Sequence, residues 1–282
     1  MTDHIFEIDC LTHQYPDGKR ALNNLNLNIK LGKKIALLGN NGAGKSTLFL
    51  HLNGLLQPSS GRISYKGLPM RYDRKSLLSL RRQVGIVFQN PDIQLFSANV
   101  RQDISFGPIN LGFPLTEVHE KVNWAMKQTD VLDLEDKPTH FLSLGQKKRV
   151  AIAGILAMDP DVWILDEPTA GLDSYYSRQI VALLDSLHQP EKTIILSTHD
   201  VNLAYEWADE IIIMNDGNII YQGDPVNIFH QEHLLLQAYL EKPWVFETFQ
   251  SMIEAGLADH THTVPRNKEE LFQRMECKPI PY

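Results

Sequence analysis

The stretch Lys34-Ile35-Ala36-Leu37-Leu38-Gly39-Asn40-Asn41-Gly42-Ala43-Gly44-Lys45-Ser46-Thr47-Leu48-Phe49-Leu50-His51-Leu52-Asn53 decides the fold. Lys34 to Leu38 is a short apolar run of strand length, and Ser46 to Asn53 carries apolar residues at helical spacing. Between them, Gly39 to Ser46 matches the pattern GxxxxGK[ST] in full. The match stands where such a loop must stand, between a strand and a helix.

The chemistry of that loop follows from its residue types. Gly39, Gly42 and Gly44 let the backbone N–H groups of the loop, Asn40, Asn41 and Ala43 included, wrap a polyphosphate. The helix N-terminus at Ser46 and Thr47 adds roughly half a positive charge. Lys45 supplies a mobile ammonium, and Ser46 is expected to ligate Mg²⁺.

Val162-Trp163-Ile164-Leu165-Asp166-Glu167 is a second apolar strand, ending in two adjacent carboxylates. Doubly wound sheets place ligands beyond the carboxyl ends of their strands, which is where these acids fall. Asp166 is suited to hold Mg²⁺ through its water shell. Glu167 is suited to orient and deprotonate a water for in-line attack on the γ-phosphate. The expected ligands are therefore ATP and Mg²⁺.

Between the two motifs lies Phe141-Leu142-Ser143-Leu144-Gly145-Gln146-Lys147-Lys148-Arg149. With all three in this order, the chain resembles the ATPase subunits of ABC transporters over about Ile5 to Pro225. The resemblance implies that this segment is the signature motif, usually LSGGQ. Its Ser143, Gly145 and Gln146 would then reach the γ-phosphate held by another subunit, in a head-to-tail dimer. Leu144 departs from the usual glycine, giving up backbone freedom but keeping Ser143 and Gly145. The resemblance further implies that Gln89 touches γ-phosphate and metal and relays to a membrane partner. His199 would contact the γ-phosphate, Asp173 would bridge the dimer, and Tyr15 would offer its ring face to adenine.

Within that family, Val87 to Phe96, Asp103 to Pro108 and Gly145 to Gly154 look like energy-coupling-factor importers, and most like the cobalt and nickel uptake ATPases. That likeness implies a second ATPase subunit, self or paralogue, a transmembrane coupling protein and a membrane substrate-binding protein. It implies a peripheral position on the cytoplasmic face of the cell membrane, with vitamin uptake as the alternative cargo. Non-transport ABC ATPases typically carry a long coiled-coil insertion or a second cassette, and neither fits in 282 residues. A P-loop kinase has no use for the Ser143 segment ahead of Asp166, and a non-hydrolysing module would lack Glu167.

Composition agrees with this class. Apolar residues make up 43% and charged residues 22%, as in an ordinary globular protein. The longest near-continuous apolar stretch, Val150 to Met158, is too short to span a bilayer. The acidic start of the chain does not resemble a secretory signal, which suggests cytosolic residence. A net charge of -7 argues against a nucleic-acid partner, and the basic cluster Arg71 to Arg82 reads as a solvated helix face. Cys10 and Cys277 have no metal-like spacing, and His260-Thr261-His262 reads as a solvated tail.

The rest of the chain fills in an α/β fold. Ile5 to Ile29 reads as two strands joined by a turn at Tyr15-Pro16-Asp17-Gly18. Ser79 to Thr129 reads as helical and loop-rich, Leu142 to Met158 as a helix, and Thr193 to Ser197 as a buried strand. Asn215-Asp216-Gly217 is a hairpin turn. Past Pro225, Leu234 to Leu240 and Phe246 to Leu257 read as amphipathic helices, expected to extend the dimer interface. The expected architecture is a P-loop NTPase core with a mixed sheet, an antiparallel N-terminal β-subdomain and a helical subdomain at about 90–160. These make an ATPase domain over 1–225, followed by a helical C-terminal extension over 226–282.

Overall fold

The computed structural model describes residues 3–259 and 263–276. The His260-Thr261-His262 segment and Cys277 lie outside them. Strands β1 (His4–Gln14), β2 (Arg20–Lys30), β4 (Ser60–Tyr65) and β5 (Leu68–Pro69) form an antiparallel sheet in the order β2-β1-β4-β5. Strands β3 (Lys34–Leu38), β6 (Val84–Val87), β7 (Val162–Leu165), β8 (Thr193–Ser197), β9 (Glu210–Asn215) and β10 (Asn218–Gly223) form a second sheet, ordered β10-β9-β3-β8-β7-β6. Only β10 runs antiparallel there, paired to β9 through the Asp216-Gly217 turn. Both turn residues have positive φ, 46° and 75°, as a two-residue hairpin of this twist requires.

The central strands are apolar on both faces because both faces are covered. Leu38, Val87, Trp163, Leu165, Leu196 and Ile213 point into one buried cluster, and Leu37, Ile86, Ile164, Ile195 and Ile212 into another. The second cluster is closed by helix α1 (Lys45–Leu52) and by Phe6, Ile8, Leu11 and Leu27 of the antiparallel sheet. The first is closed by α3 (Val100–Asn110), α4 (Leu115–Gln128), α5 (Leu144–Met158), α6 (Ser174–Leu187) and α7 (Val201–Trp207). Helix α2 (Arg74–Gln83) buries only Leu80, so the basic cluster is a largely solvated face.

After β10 the chain forms α8 (Pro225–Phe229), α9 (Glu232–Ala238), α10 (Trp244–Glu254) and α11 (Lys268–Glu276). Ile228, Phe229, Leu235, Ala238 and Phe246 enter the main cluster beside the sheet. Val245, Phe249, Met252 and Leu271 make a small cluster of their own. Among the described residues no helix is long and apolar enough to cross a membrane.

Candidate functional site

The loop between β3 and α1 has the conformation its glycines permit. Gly39, Gly42 and Gly44 have φ of 145°, 83° and 104°. A Cβ on Gly39 would lie 2.3 Å from the Met214 carbonyl oxygen, and one on Gly44 2.6 Å from that of Ala21. Glycine at both positions is therefore dictated by neighbouring backbone as well as by φ. Lys45 is buried, and its ammonium donates to the carbonyls of Gly39 and Asn40. Burial pulls that ammonium below the ordinary lysine range, while Glu167 and Asp166 pull it back up. Ser46 stands exposed on the first turn of α1, and Thr47 Oγ1 lies 3.1 Å from the Tyr15 hydroxyl.

The carboxyl ends of β6, β7 and β8 bring the other groups together. Asp166 and Glu167 follow β7 and are both buried. Glu167 has φ 47°, a left-handed backbone that costs a non-glycine residue about 1 to 2 kcal/mol. Its backbone N–H and carbonyl are both held. Its N–H donates to Ser197 Oγ at 2.9 Å, its carbonyl accepts from Lys148 Nζ at 2.9 Å, and Lys148 also donates to the Ala170 carbonyl at 2.6 Å. Both carboxylate oxygens of Glu167 are engaged, Oε2 by Gln89 Nε2 at 2.7 Å and Oε1 by His199 Nε2. Asp166 Oδ1 accepts from Ser197 Oγ at 2.6 Å.

Of these residues Gln89 and Glu167 border a cleft of about 220 Å³, lined also by Tyr15 and the loop from Asn40 to Thr47, and Asp166 lies buried behind it. Glu167 also borders a wider groove of about 880 Å³ between α6 and α7, where His199 lies. Ser143, Gly145, Gln146 and Asp173 line neither. Ser143 is exposed and caps α5: its Oγ accepts from the Gln146 N–H at 3.3 Å while Gln146 Oε1 accepts from the Ser143 N–H at 3.1 Å. Asp173, also exposed, caps α6 by accepting from the Tyr176 N–H at 2.9 Å. Leu144 has no positive φ, and its side chain lies against Gly171, so the departure at this position strains nothing.

The donor set fits the expected ligands. Ser46 and Gln89 offer neutral oxygens and Asp166 a carboxylate, all hard donors of the kind Mg²⁺ takes alongside phosphate and water. Among the described residues there is no cluster of three or more histidines, cysteines and carboxylates that would hold a soft transition metal.

Two structural partners escaped the motif reading. Ser197 ends β8 and ties Asp166 to Glu167. Lys148 is buried against the Glu167 loop from α5, its ammonium drawn below the ordinary range by burial. The signal for it was present: Lys148 stands at i with Ala151, Ile152 and Ile155 at i+3, i+4 and i+7, a charge on a buried stripe.

Comparison with known proteins agrees with this geometry. Residues 22–170 match the ABC transporter family. The energy-coupling factor transporter ATP-binding protein EcfA of Methanocaldococcus jannaschii is 50% identical over 86% of this chain and 87% of its own length. EcfA3 of Clostridium perfringens is 48% identical over 86% of each. The structure of cbiO1 from Clostridium perfringens, described as part of the ABC transporter complex cbiONQ, superposes with a TM-score of 0.74 at 45% identity, over 90% of this chain and all of that one. The cassette MJ0796, solved as a dimer bound to ADP and Pi, superposes with a TM-score of 0.73 at 28% identity, over 78% and 98%. With a phosphate loop, a paired Asp166-Glu167 strand end and relatives of this identity over most of its length, the chain belongs to the ABC transporter family, as an ATP-binding ATPase subunit of the energy-coupling-factor type.

Proposed function

We propose that this chain hydrolyses Mg-ATP as one half of a head-to-tail ATPase dimer and so powers import of cobalt or nickel through separate membrane proteins. The observation that carries the reading is the division of the motif set. Lys45, Gln89 and Glu167 line one cleft, whereas Ser143, Gly145 and Asp173 stand outside it, two of them exposed at helix N-termini. A second subunit turned head to tail brings its own copies of the latter to this cleft, and MJ0796 is a related cassette solved as a dimer.

In this reading the loop amides and the start of α1 take the charge that spreads over the transferred phosphoryl oxygens, with Lys45 beside them. Glu167 accepts the proton of the attacking water. Gln89 and His199 fix its carboxylate, each from a different strand end. Ser46, Gln89 and Asp166 would hold Mg²⁺, which when bound would neutralise phosphate charge. Tyr15, tied to Thr47, offers its ring to adenine.

Beyond Gln89, Ile93 and Phe96 are 69% and 65% exposed, and Phe96 meets the half-exposed Phe106 edge to face at 4.6 Å. Such an apolar patch beside the γ-phosphate sensor suits a transmembrane coupling protein and a peripheral position on the cytoplasmic face of the cell membrane. The cargo rests on the resemblance of Val87 to Phe96, Asp103 to Pro108 and Gly145 to Gly154 to the cobalt and nickel uptake ATPases.

Uptake by cells expressing the chain with its neighbouring membrane genes tests the whole reading. Cobalt or nickel accumulation that is lost in Lys45→Ala is the expected result. Vitamin uptake instead would keep the motor and refute the metal, and absence of any transport would refute both.

A further inference from the structure

Helix α7 begins two residues after His199, and its seven residues are held at both ends by the segment beyond β10. Asp200 caps the start, accepting from the N–H groups of Asn202 and Leu203 at 2.9 and 3.1 Å. Asn202 Oδ1 in turn accepts from the Trp244 N–H, the first residue of α10, at 2.9 Å. At the other end the helix leaves carbonyls without intrahelical partners. The Arg266 guanidinium donates to three of the carbonyls there: Tyr205 at 2.6 Å and Ala208 at 2.6 Å, with Glu206 at 3.3 Å.

Tyr205, in the middle of α7, is enclosed by the same segment. Its hydroxyl donates to the Pro265 carbonyl at 2.9 Å. Its ring meets Phe229 and Phe246 edge to face at 5.5 and 6.0 Å, and the Arg266 guanidinium lies 5.5 Å from its centroid. A seven-residue helix has little stability of its own. Here it is fixed by the Trp244 backbone N–H and the Arg266 side chain, about 40 to 60 residues later in the chain.

We infer that the C-terminal segment is a clamp on α7 that positions His199 against Glu167, with Arg266 as its principal positioning residue and Asn202 as the point of attachment at the near end. The inference rests on the catalytic reading of Glu167 and His199 given above, and it assigns the segment a role within one protomer. A planar fork aimed at several carbonyls is a task that arginine performs and a point-charge ammonium does not. Loss of the fork frees the far end of α7, and a displacement of the attached His199 by about 1 Å is enough to cost on the order of 10²-fold in rate.

ATP turnover of the purified full-length protein tests the clamp. Arg266→Ala is expected to lower kcat about tenfold with KM for ATP nearly unchanged, and Arg266→Lys to recover only part of the loss. In a His199→Ala background, Arg266→Ala is expected to cost nothing further, because the residue it positions is gone. Equal fold losses in both backgrounds, or an unchanged kcat in Arg266→Ala, would overturn the clamp. Asn202→Ala keeps the test open should Arg266→Ala fail to fold, since the same loss confined to the His199 background is expected from the opposite end. Full turnover in His199→Ala alone would instead sink the catalytic reading on which the clamp depends.

Discussion

The hydroxyl of Ser197 donates to the Asp166 carboxylate at 2.6 Å. The same oxygen accepts the Glu167 N–H at 2.9 Å, so one buried side chain fixes both acids at the end of β7. Ser197→Ala leaves a buried N–H and a carboxylate oxygen short of a partner. That is expected to cost about 1 to 3 kcal/mol of stability. Turnover is expected to fall about tenfold as Glu167 loses its backbone anchor. Thermal melts and steady-state ATPase assays check both.

Lys148 gives a stability signature in pH. Burial holds its folded-state pKa below the ordinary lysine value of 10.5, so between the two values the unfolded chain binds more protons than the folded one. Stability contributed through Lys148 therefore rises as pH climbs through that window, and is depressed below it. Lys45 shifts the same way, so the comparison must be with Lys148→Met, which removes only one of the two. The difference in melting temperature, wild type minus Lys148→Met, is expected to grow in favour of wild type from neutral pH toward pH 10. A pH-independent difference would show that burial does not perturb this ammonium.

The three glycines of the phosphate loop are not equivalent. A Cβ at Gly44 meets the Ala21 carbonyl oxygen at 2.6 Å, whereas one at Gly42 meets nothing within 4 Å. Gly42→Ala is expected to cost only its backbone strain, about 1 kcal/mol. Gly44→Ala adds a clash with backbone and is expected to abolish ATP binding and to cost about 2 kcal/mol or more. ATP titrations and melts of the two variants separate the cases.

Leu144 stands where related signature motifs carry glycine, yet as the first residue of α5 it has no positive φ and it packs on Gly171. Leu144→Gly is accordingly expected to leave ATP turnover within about twofold of wild type and to lower stability by about 1 kcal/mol or less. A large gain in turnover would mean that the leucine restrains the motif.

The parts of this molecule that sequence made legible are those where one physical cause dominates. The phosphate loop, the apolar strands β3, β7 and β8 and the Asp216-Gly217 hairpin declare themselves through glycine geometry and two-sided burial. Strand β4 does not. Only Ile63 of its six residues is buried, so no alternation announces it, and it exists by pairing with β1. Helix boundaries shifted by a residue or two because caps decide them: Ser143 closes its own capping box, so α5 starts at Leu144 and not at Leu142. At the site, motif residues were readable one by one. Their contacts were not, since Gln89 and His199 reach Glu167 from positions 78 and 32 residues away in the chain. Ser197 reaches the Glu167 N–H and the Asp166 carboxylate from another strand, which no local pattern encodes, whereas Lys148 was announced only as a charge on a buried stripe and not by its carbonyl partners.

In the head-to-tail dimer proposed above, ATP is held between two subunits, the loop of one facing Ser143 of the other. Glu167→Gln is expected to keep ATP binding, slow hydrolysis by about 10²- to 10⁴-fold and so accumulate the closed dimer. In that background, with Cys10 and Cys277 replaced by serine, Asn41→Cys and Ser143→Cys place one thiol at the exposed tip of the phosphate loop and one at the exposed start of α5. Treatment with a short thiol cross-linker is expected to give covalent dimers with ATP and few without it. Monomers alone in the presence of ATP would contradict the head-to-tail arrangement and with it the account of the site.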